Sequence, residues 1–152
     1  MTEFHKKNWS QRMTSGMGDQ AEGVYEEVYG DESERFGFNL PRFPIRNIPP
    51  ILRYAPDYIH GTAPARFVEV QGFSTALKVK IEKIGGLFHW QTHLPVHLFF
   101  YSSLKDDYCE IELNDFLKLA GLKATLSSYD EGSKPYLRFT PGVLPWSSDG
   151  NK

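Results

Sequence analysis

The hydrophobic positions change period along the chain, and each change marks a predicted element. Ala21, Val24, Tyr25, Val28 and Tyr29 recur at helical spacing and predict a first amphipathic helix, with Gly30 placed to end it. Between residues 36 and 56 apolar residues are interleaved with Pro41, Pro44, Pro49 and Pro50, which excludes helix and allows extended structure or an edge strand. Leu52-Arg53-Tyr54-Ala55 reads as a short extended run into Pro56. Asp57-Tyr58-Ile59 continues as strand, residues 60–64 supply turn chemistry, and residues 66–71 alternate as a half-buried partner strand, so a β-hairpin is predicted. After Gly72 the period becomes 3.6, with Leu77, Ile81, Ile84 and Phe88 on one face of a second helix and Lys78, Glu82 and Lys83 off it. Residues 96–101 are too continuously apolar for a surface strand and belong in the middle of a sheet. Asn114 can cap a third helix over residues 115–120 that Gly121 ends, and Tyr136-Leu137-Arg138-Phe139 adds an edge strand. The predicted order is α-β-β-β-α-β-α: an α/β fold with a mixed β-sheet flanked by helices.

Composition bounds this picture. At 152 residues, with 40% hydrophobic and 24% charged positions, the chain fits one soluble domain. That domain is expected over residues 16–146, after a flexible N-terminal segment at 1–15 and before a disordered tail at 147–152. The single cysteine, Cys109, rules out an internal disulfide framework and a cysteine-rich zinc site. With no apolar run approaching the roughly 20 residues of a membrane span, a cytoplasmic protein is expected. A net charge of −2 argues against broad coating of nucleic acid, so any such contact must come from a local patch.

The hairpin carries the candidate chemistry. Asp57 and Glu69, one from each arm, supply the hard oxygen ligands that Mg²⁺ or Mn²⁺ prefers, and the Val70 carbonyl could add another. Glu69 and Gln71 share one strand face, expected to be the chemical one, while Val68 and Val70 turn to an apolar face. Two acids at a metal beside a strand end suit phosphodiester hydrolysis, in which the ion positions a water and neutralises charge on the leaving oxygen. His89, His93 and His97 follow an i, i+4, i+8 series that Pro95 interrupts, which leaves a helix-end pair and one strand histidine. Asp106-Asp107 and Asp130-Glu131 read as solvated loop acids. Arg42, Arg46 and Arg53 either grip a DNA backbone beside the site or form the polar side of a proline-rich edge segment, and Lys80 is a fourth candidate DNA contact.

Pro56-Asp57 followed by Glu69-x-Gln71-Gly72, after an amphipathic helix bearing Glu22, resembles the PD-(D/E)XK nuclease superfamily over roughly residues 16–103. Within it the chain is most similar to phage junction-resolving endonucleases and archaeal Holliday-junction resolvases, through Gly18 to Glu22, Tyr54-Ala55-Pro56-Asp57-Tyr58 and the strand ending Tyr101-Ser102-Ser103. The resemblance implies a restriction-endonuclease-like core and a metal-dependent endonuclease. The implied enzyme is a homodimer acting on branched or single-stranded DNA, with a role in phage recombination or genome processing in the host cytoplasm. It makes Asp57, Glu69 and Glu22 metal ligands or groups that orient ligand waters. For Glu22 an arrangement with Asp19 at the helix start stands as the alternative. Gln71 departs from the pattern, standing where the family usually has lysine; Lys78, expected in the first turn of the second helix, is the candidate replacement and Lys80 the second. Both lysines could equally form a solvated helix face. A catalytically inactive nuclease-fold module that binds DNA or a partner is the alternative function.

Overall fold

The computed structural model describes residues 17–37, 49–128 and 134–151. Its elements are α1 (Met17–Tyr29), β1 (Ser33–Arg35), the single turn α2 (Pro50–Arg53), β2 (Tyr58–His60), β3 (Arg66–Phe73), β4 (Leu77–Lys80), α3 (Ile81–Trp90), β5 (Val96–Ser102), β6 (Asp107–Glu112), α4 (Leu113–Lys123), β7 (Thr125–Ser128) and β8 (Pro135–Phe139). A five-stranded mixed sheet runs β1-β2-β3-β5-β6, with β3 and β5 parallel and the other neighbours antiparallel. A smaller antiparallel sheet runs β4-β8-β7. The fold is therefore α/β, a mixed sheet flanked by helices, and the hairpin and the buried strand lie where the apolar pattern puts them. No helix among the described residues is long and apolar enough to cross a membrane.

Strand alternation sends successive side chains to opposite sides of the sheet, and here both sides are covered. Val68 and Val70 of β3, with Phe99 and Tyr101 of β5, are buried together with Tyr58 and with Ala21 and Tyr25 of α1. Phe67, Phe73, Leu98 and Phe100 point the other way and pack with Ile84 and Leu87 of α3 and Leu113 and Phe116 of α4. The division of β3 into a chemical face and an apolar face is corrected by this packing. Glu69 and Gln71 share the side that buries Phe67 and Phe73, and Glu69 is only 7% exposed.

Several element boundaries also differ from expectation. Residues 52 and 53 are helical rather than extended, because the Leu52 and Arg53 amides both donate to the Pro49 carbonyl and proline is tolerated in a first helical turn. The second helix starts at Ile81, not Leu77. Leu77-Lys78-Val79-Lys80 alternates buried and more exposed positions, a period of two, and pairs with β8 as a strand. Phe88, placed on the buried face by the longer helix, is 43% exposed. Helix α4 runs through Gly121 to Lys123 and is anchored at its start by buried Leu113, without a side-chain cap from Asn114. Strand β8 is the middle of the small sheet rather than an edge. Strands β1, β6 and β7 were not expected. Ser147–Asn151 forms a 3-10 turn, and its Ser147 and Ser148 hydroxyls donate to the Asp107 carboxylate at 2.5 and 2.6 Å. The N-terminal segment 1–15, Asp130 and Glu131 lie outside the described residues.

One polar network is built into the α1 side of the sheet. Arg66 donates to both Glu110 carboxylate oxygens, from Nε at 2.7 Å and Nη2 at 3.3 Å, and His97 Nδ1 lies 2.5 Å from Oε2. Burial opposes the Glu110 charge, but the His97 and Arg66 hydrogen bonds outweigh it and hold the carboxyl at about 2, below its usual 4.5. An acid lowered in the folded state contributes stability above its unfolded value and loses it as pH falls towards the folded one. The loss is on the order of 3 kcal/mol at most. Glu110→Gln, which leaves Arg66 buried against a neutral group, is expected to lower stability at pH 7 by on the order of 3 kcal/mol and to flatten the acid limb below about pH 4.5. Thermal melts between pH 2.5 and 7 check this, and an unchanged acid limb in the variant would exclude Glu110 as its source.

Candidate active site

Asp57 sits at the bend entering β2, and three backbone features fix it. Its carbonyl accepts from the Phe36 amide at 2.8 Å and the Gly37 amide at 3.4 Å. Its Oδ2 accepts from the Val70 amide at 2.9 Å. That amide is on offer because β2 pairs with β3 only as far as Val68, and a buried backbone donor beyond the ladder needs another partner. Gly37 makes the first contact feasible: a Cβ there would stand 2.8 Å from the Pro56 carbonyl oxygen and 3.3 Å from that of Ala55, so only glycine lets the chain come this close.

Glu69 extends from β3 towards α3, where Lys83 meets it with Nζ 2.9 Å from Oε1. Burial works against charge on Lys83, yet Glu69, followed by Asp57, raises its pKa above the usual value. The converse holds for Asp57. Burial, then the Glu69 charge, pushes its carboxyl up to about 7 against the Val70 amide, Lys83 and Arg35. Two buried carboxylates thus share one ammonium.

Glu22 approaches from α1, where Arg35 Nη2 donates to its Oε2 at 2.7 Å, while Arg35 Cζ lies 5.1 Å from the centroid of the Tyr58 ring. Burial, then the Asp57 charge, raises the Glu22 pKa, and Arg35 opposes both. Glu22 therefore borders the Asp57–Glu69 pair, held by a cation of its own. Gln71 is turned to the small sheet, its Nε2 donating to the Lys78 carbonyl at 2.7 Å. Lys78 and Lys80 stand on β4 rather than in a helical first turn, which corrects their expected placement. Val70 contributes its amide to Asp57 and its side chain to the core under α1. Arg53 ends α2, and Arg42 and Arg46 lie outside the described residues. Of the histidines, His89 and His93 are ring neighbours at 5.9 Å, while His97 belongs to the Glu110 network.

Lys83 and Arg35 are the residues that sequence reasoning missed. A signal for Lys83 exists in the period-two run at residues 77–80, which moves the helix start to Ile81 and puts Lys83 in its first turn, beside β3. Arg35 lies in a polar strand with no apolar alternation to reveal it.

No three His, Cys, Asp or Glu side chains among the described residues stand close enough to hold one ion, so Glu22, Asp57 and Glu69 do not form a three-carboxylate cage. Asp57 and Glu69 do fit a hard divalent cation. Glu69 Oε2 is buried without a hydrogen-bond partner among the described residues. Mg²⁺ takes one or two carboxylates with waters completing its shell, so a two-acid site meets its needs.

No family model and no curated protein matches the sequence. Among solved structures, the chain is similar to Hjc, a Holliday junction resolvase from the archaeal hyperthermophile Archaeoglobus fulgidus. The two are 11% identical with a TM-score of 0.47, over 84% of this chain and 87% of that one.

An acid whose pKa is raised on folding destabilises the fold as pH climbs from its unfolded towards its folded value, here from 3.8 to about 7. Asn at position 57 keeps the acceptor for the Val70 amide and removes the charge. In metal-free buffer at pH 8, Asp57→Asn is expected to be more stable than the parent by about 1–3 kcal/mol, a gap that closes below about pH 4. Mn²⁺ should raise the melting temperature of the parent and have less effect on the variant. Calorimetry with and without Mn²⁺ tests both statements, and a variant that melts below the parent at pH 8 contradicts the repulsion.

Proposed function

We propose that the protein is a metal-dependent endonuclease that hydrolyses phosphodiester bonds in DNA. The observation that carries this reading is the buried pair Asp57 and Glu69 with the Lys83 ammonium 2.9 Å from Glu69. Asp57 and Glu69, with the Val70 carbonyl, would hold Mg²⁺ or Mn²⁺. When bound there, the ion supplies Lewis acidity and charge neutralisation at the scissile phosphate.

The other roles belong to side chains. Lys83 supplies the positive charge that Gln71 lacks, directed at the negative charge that develops on the phosphate oxygens. Glu69 and Asp57 keep that lysine protonated. Arg35 holds Glu22 beside the pair, where Glu22 orients water. Lys83 takes the place given to Lys78 and Lys80 on sequence grounds, because its ammonium pairs with Glu69.

The sequence resemblance supports branched DNA as substrate, a homodimer and a part in phage recombination or genome processing. Cutting both strands of a junction requires two sites related by symmetry. A non-catalytic DNA-binding module is the second reading, favoured by the Lys83–Glu69 ion pair, which already compensates one of the carboxylates.

Labelled four-way junction, flap, single-stranded and linear duplex DNA, each incubated with Mg²⁺, Mn²⁺ or EDTA, provide the test. Metal-dependent cutting is expected, absent in Asp57→Asn and Glu69→Gln, reduced about 100-fold or more in Lys83→Gln, and retained or raised in Gln71→Lys. Binding without cutting would transfer the assignment to the silent module. Cutting by Glu69→Gln at the parent rate would remove the site.

A further inference from the structure

The charges of this chain are segregated. Residues 19–34 carry seven acidic residues and no lysine or arginine, and α1, which holds the first of them, covers one side of the main sheet. The small sheet lies across the opposite core, and none of the residues in β4, β7 or β8 is acidic.

Register gathers the basic residues of the small sheet on one face. Leu77 and Val79 are buried, so the alternate residues Lys78 and Lys80 point away from the core. Lys78 stands opposite Arg138, and Lys80 opposite Tyr136. Lys78 Nζ lies 5.4 Å from the Tyr136 ring centroid, which puts Lys78 and Tyr136 on the same face. Thr125 and Ser127 of β7, both exposed, continue that face as the cross-strand partners of Arg138 and Tyr136. A groove of about 350 Å³ then leads from Lys78 and Arg138 to Gln71 and Gly72 on β3. Gln71 is two residues from Glu69, and its side chain is bonded to the Lys78 carbonyl.

We infer that the outer face of the small sheet, through Lys78, Lys80 and Arg138, binds the sugar-phosphate backbone of duplex DNA and leads it along this groove to the Asp57–Glu69 site. The inference rests on the nuclease reading for what happens at the end of the groove, but the binding surface stands on its own observations. Charge complementarity selects the occupant. A polyanion is drawn to three strands that carry no carboxylate and repelled from the α1 side, and a chain with net charge −2 cannot bind one without such segregation. Serine and threonine hydroxyls between the cations are suited to donate to phosphate oxygens.

Fluorescence anisotropy of a labelled duplex in EDTA, titrated with the full chain across a series of salt concentrations, tests the surface. Lys78→Gln/Arg138→Gln is expected to lower the slope of log affinity against log salt by about two and to weaken binding roughly tenfold or more at low salt. Lys105→Gln/Lys118→Gln makes the same change in net charge outside the three strands of the small sheet and is expected to keep the parent slope. Melting temperatures of both variants confirm folding, and Lys80→Gln alone should lower the slope by about one. An unchanged slope in the Lys78/Arg138 variant, an equal loss in the control, or a parent that does not bind duplex overturns the proposal. Parent cutting combined with an unchanged slope in that variant removes the surface and keeps the nuclease. A lost slope with no cutting in Mg²⁺ or Mn²⁺ keeps the surface and removes the nuclease.

Discussion

Strand β3 is covered on both faces, and the rest of the site follows from that. Phe67 and Phe73 pack under α3 and α4, Val68 and Val70 under α1, and Glu69 lies in the same interior. A carboxylate removed from water raises the free energy of the fold unless charge or hydrogen bonds replace its solvation. The compensation comes from two directions: the Val70 amide, left over where the β2–β3 ladder stops, turns to Asp57, and Lys83 reaches Glu69 from α3. The helix that completes the core on this side also delivers the cation. Its docking through Ile84 and Leu87 therefore sets the position of Lys83.

The arrangement leaves a deficit that is informative. Asp57 remains raised to about 7 and Glu69 Oε2 has no hydrogen-bond partner among the described residues, although an Asn or Gln at either place would relieve the repulsion. Destabilised clusters of this kind persist where function requires them. The surroundings hold the acids in position, with the Phe36 and Gly37 amides clasping the Asp57 backbone and Arg35 bracing Glu22. The groups that support the acids thus come from the backbone and from a second ring of charges, which keeps their geometry defined without a bound ligand.

How far the sequence discloses this depends on which physical signal each part leaves. Apolar alternation over residues 66–71 and the continuous apolar run after Pro95 report burial directly, so β3, β5 and the hairpin between β2 and β3 were legible. The pairing of Asp57 with Glu69 followed, because hairpin arms are adjacent. Strands β1, β6 and β7 leave weaker signals: they are short or polar, and pairing across the sheet creates them rather than local preference. Lys83 was hidden by a boundary. Leu77 and Val79 satisfy strand alternation while Leu77 and Ile81 satisfy helical spacing, and only the partner strand β8, far along the chain, decides between them. Once the helix starts four residues later, Lys83 moves from the outer face to the carboxylates.

Gln71 connects the site to the small sheet. A lysine on the strand two residues after Glu69 would carry its charge at the site but would offer the β4 backbone no amide. With Gln there, the side chain donates to the Lys78 carbonyl and ties β3 to β4, next to the register that sets Lys78 against Arg138. Position 71 therefore joins the strand of Glu69 to the strand that bears Lys78 and Lys80. The glutamine is thus a structural contact between the two sheets. Lys83 is positioned by the docking of α3, and the small sheet meets β3 both through the Gln71 amide and through Leu77, Val79 and Phe139 in the core they share with Phe73. Loss of the charge at Lys83 removes the partner of Glu69, and loss of the Gln71 amide removes a side-chain bond between β3 and β4.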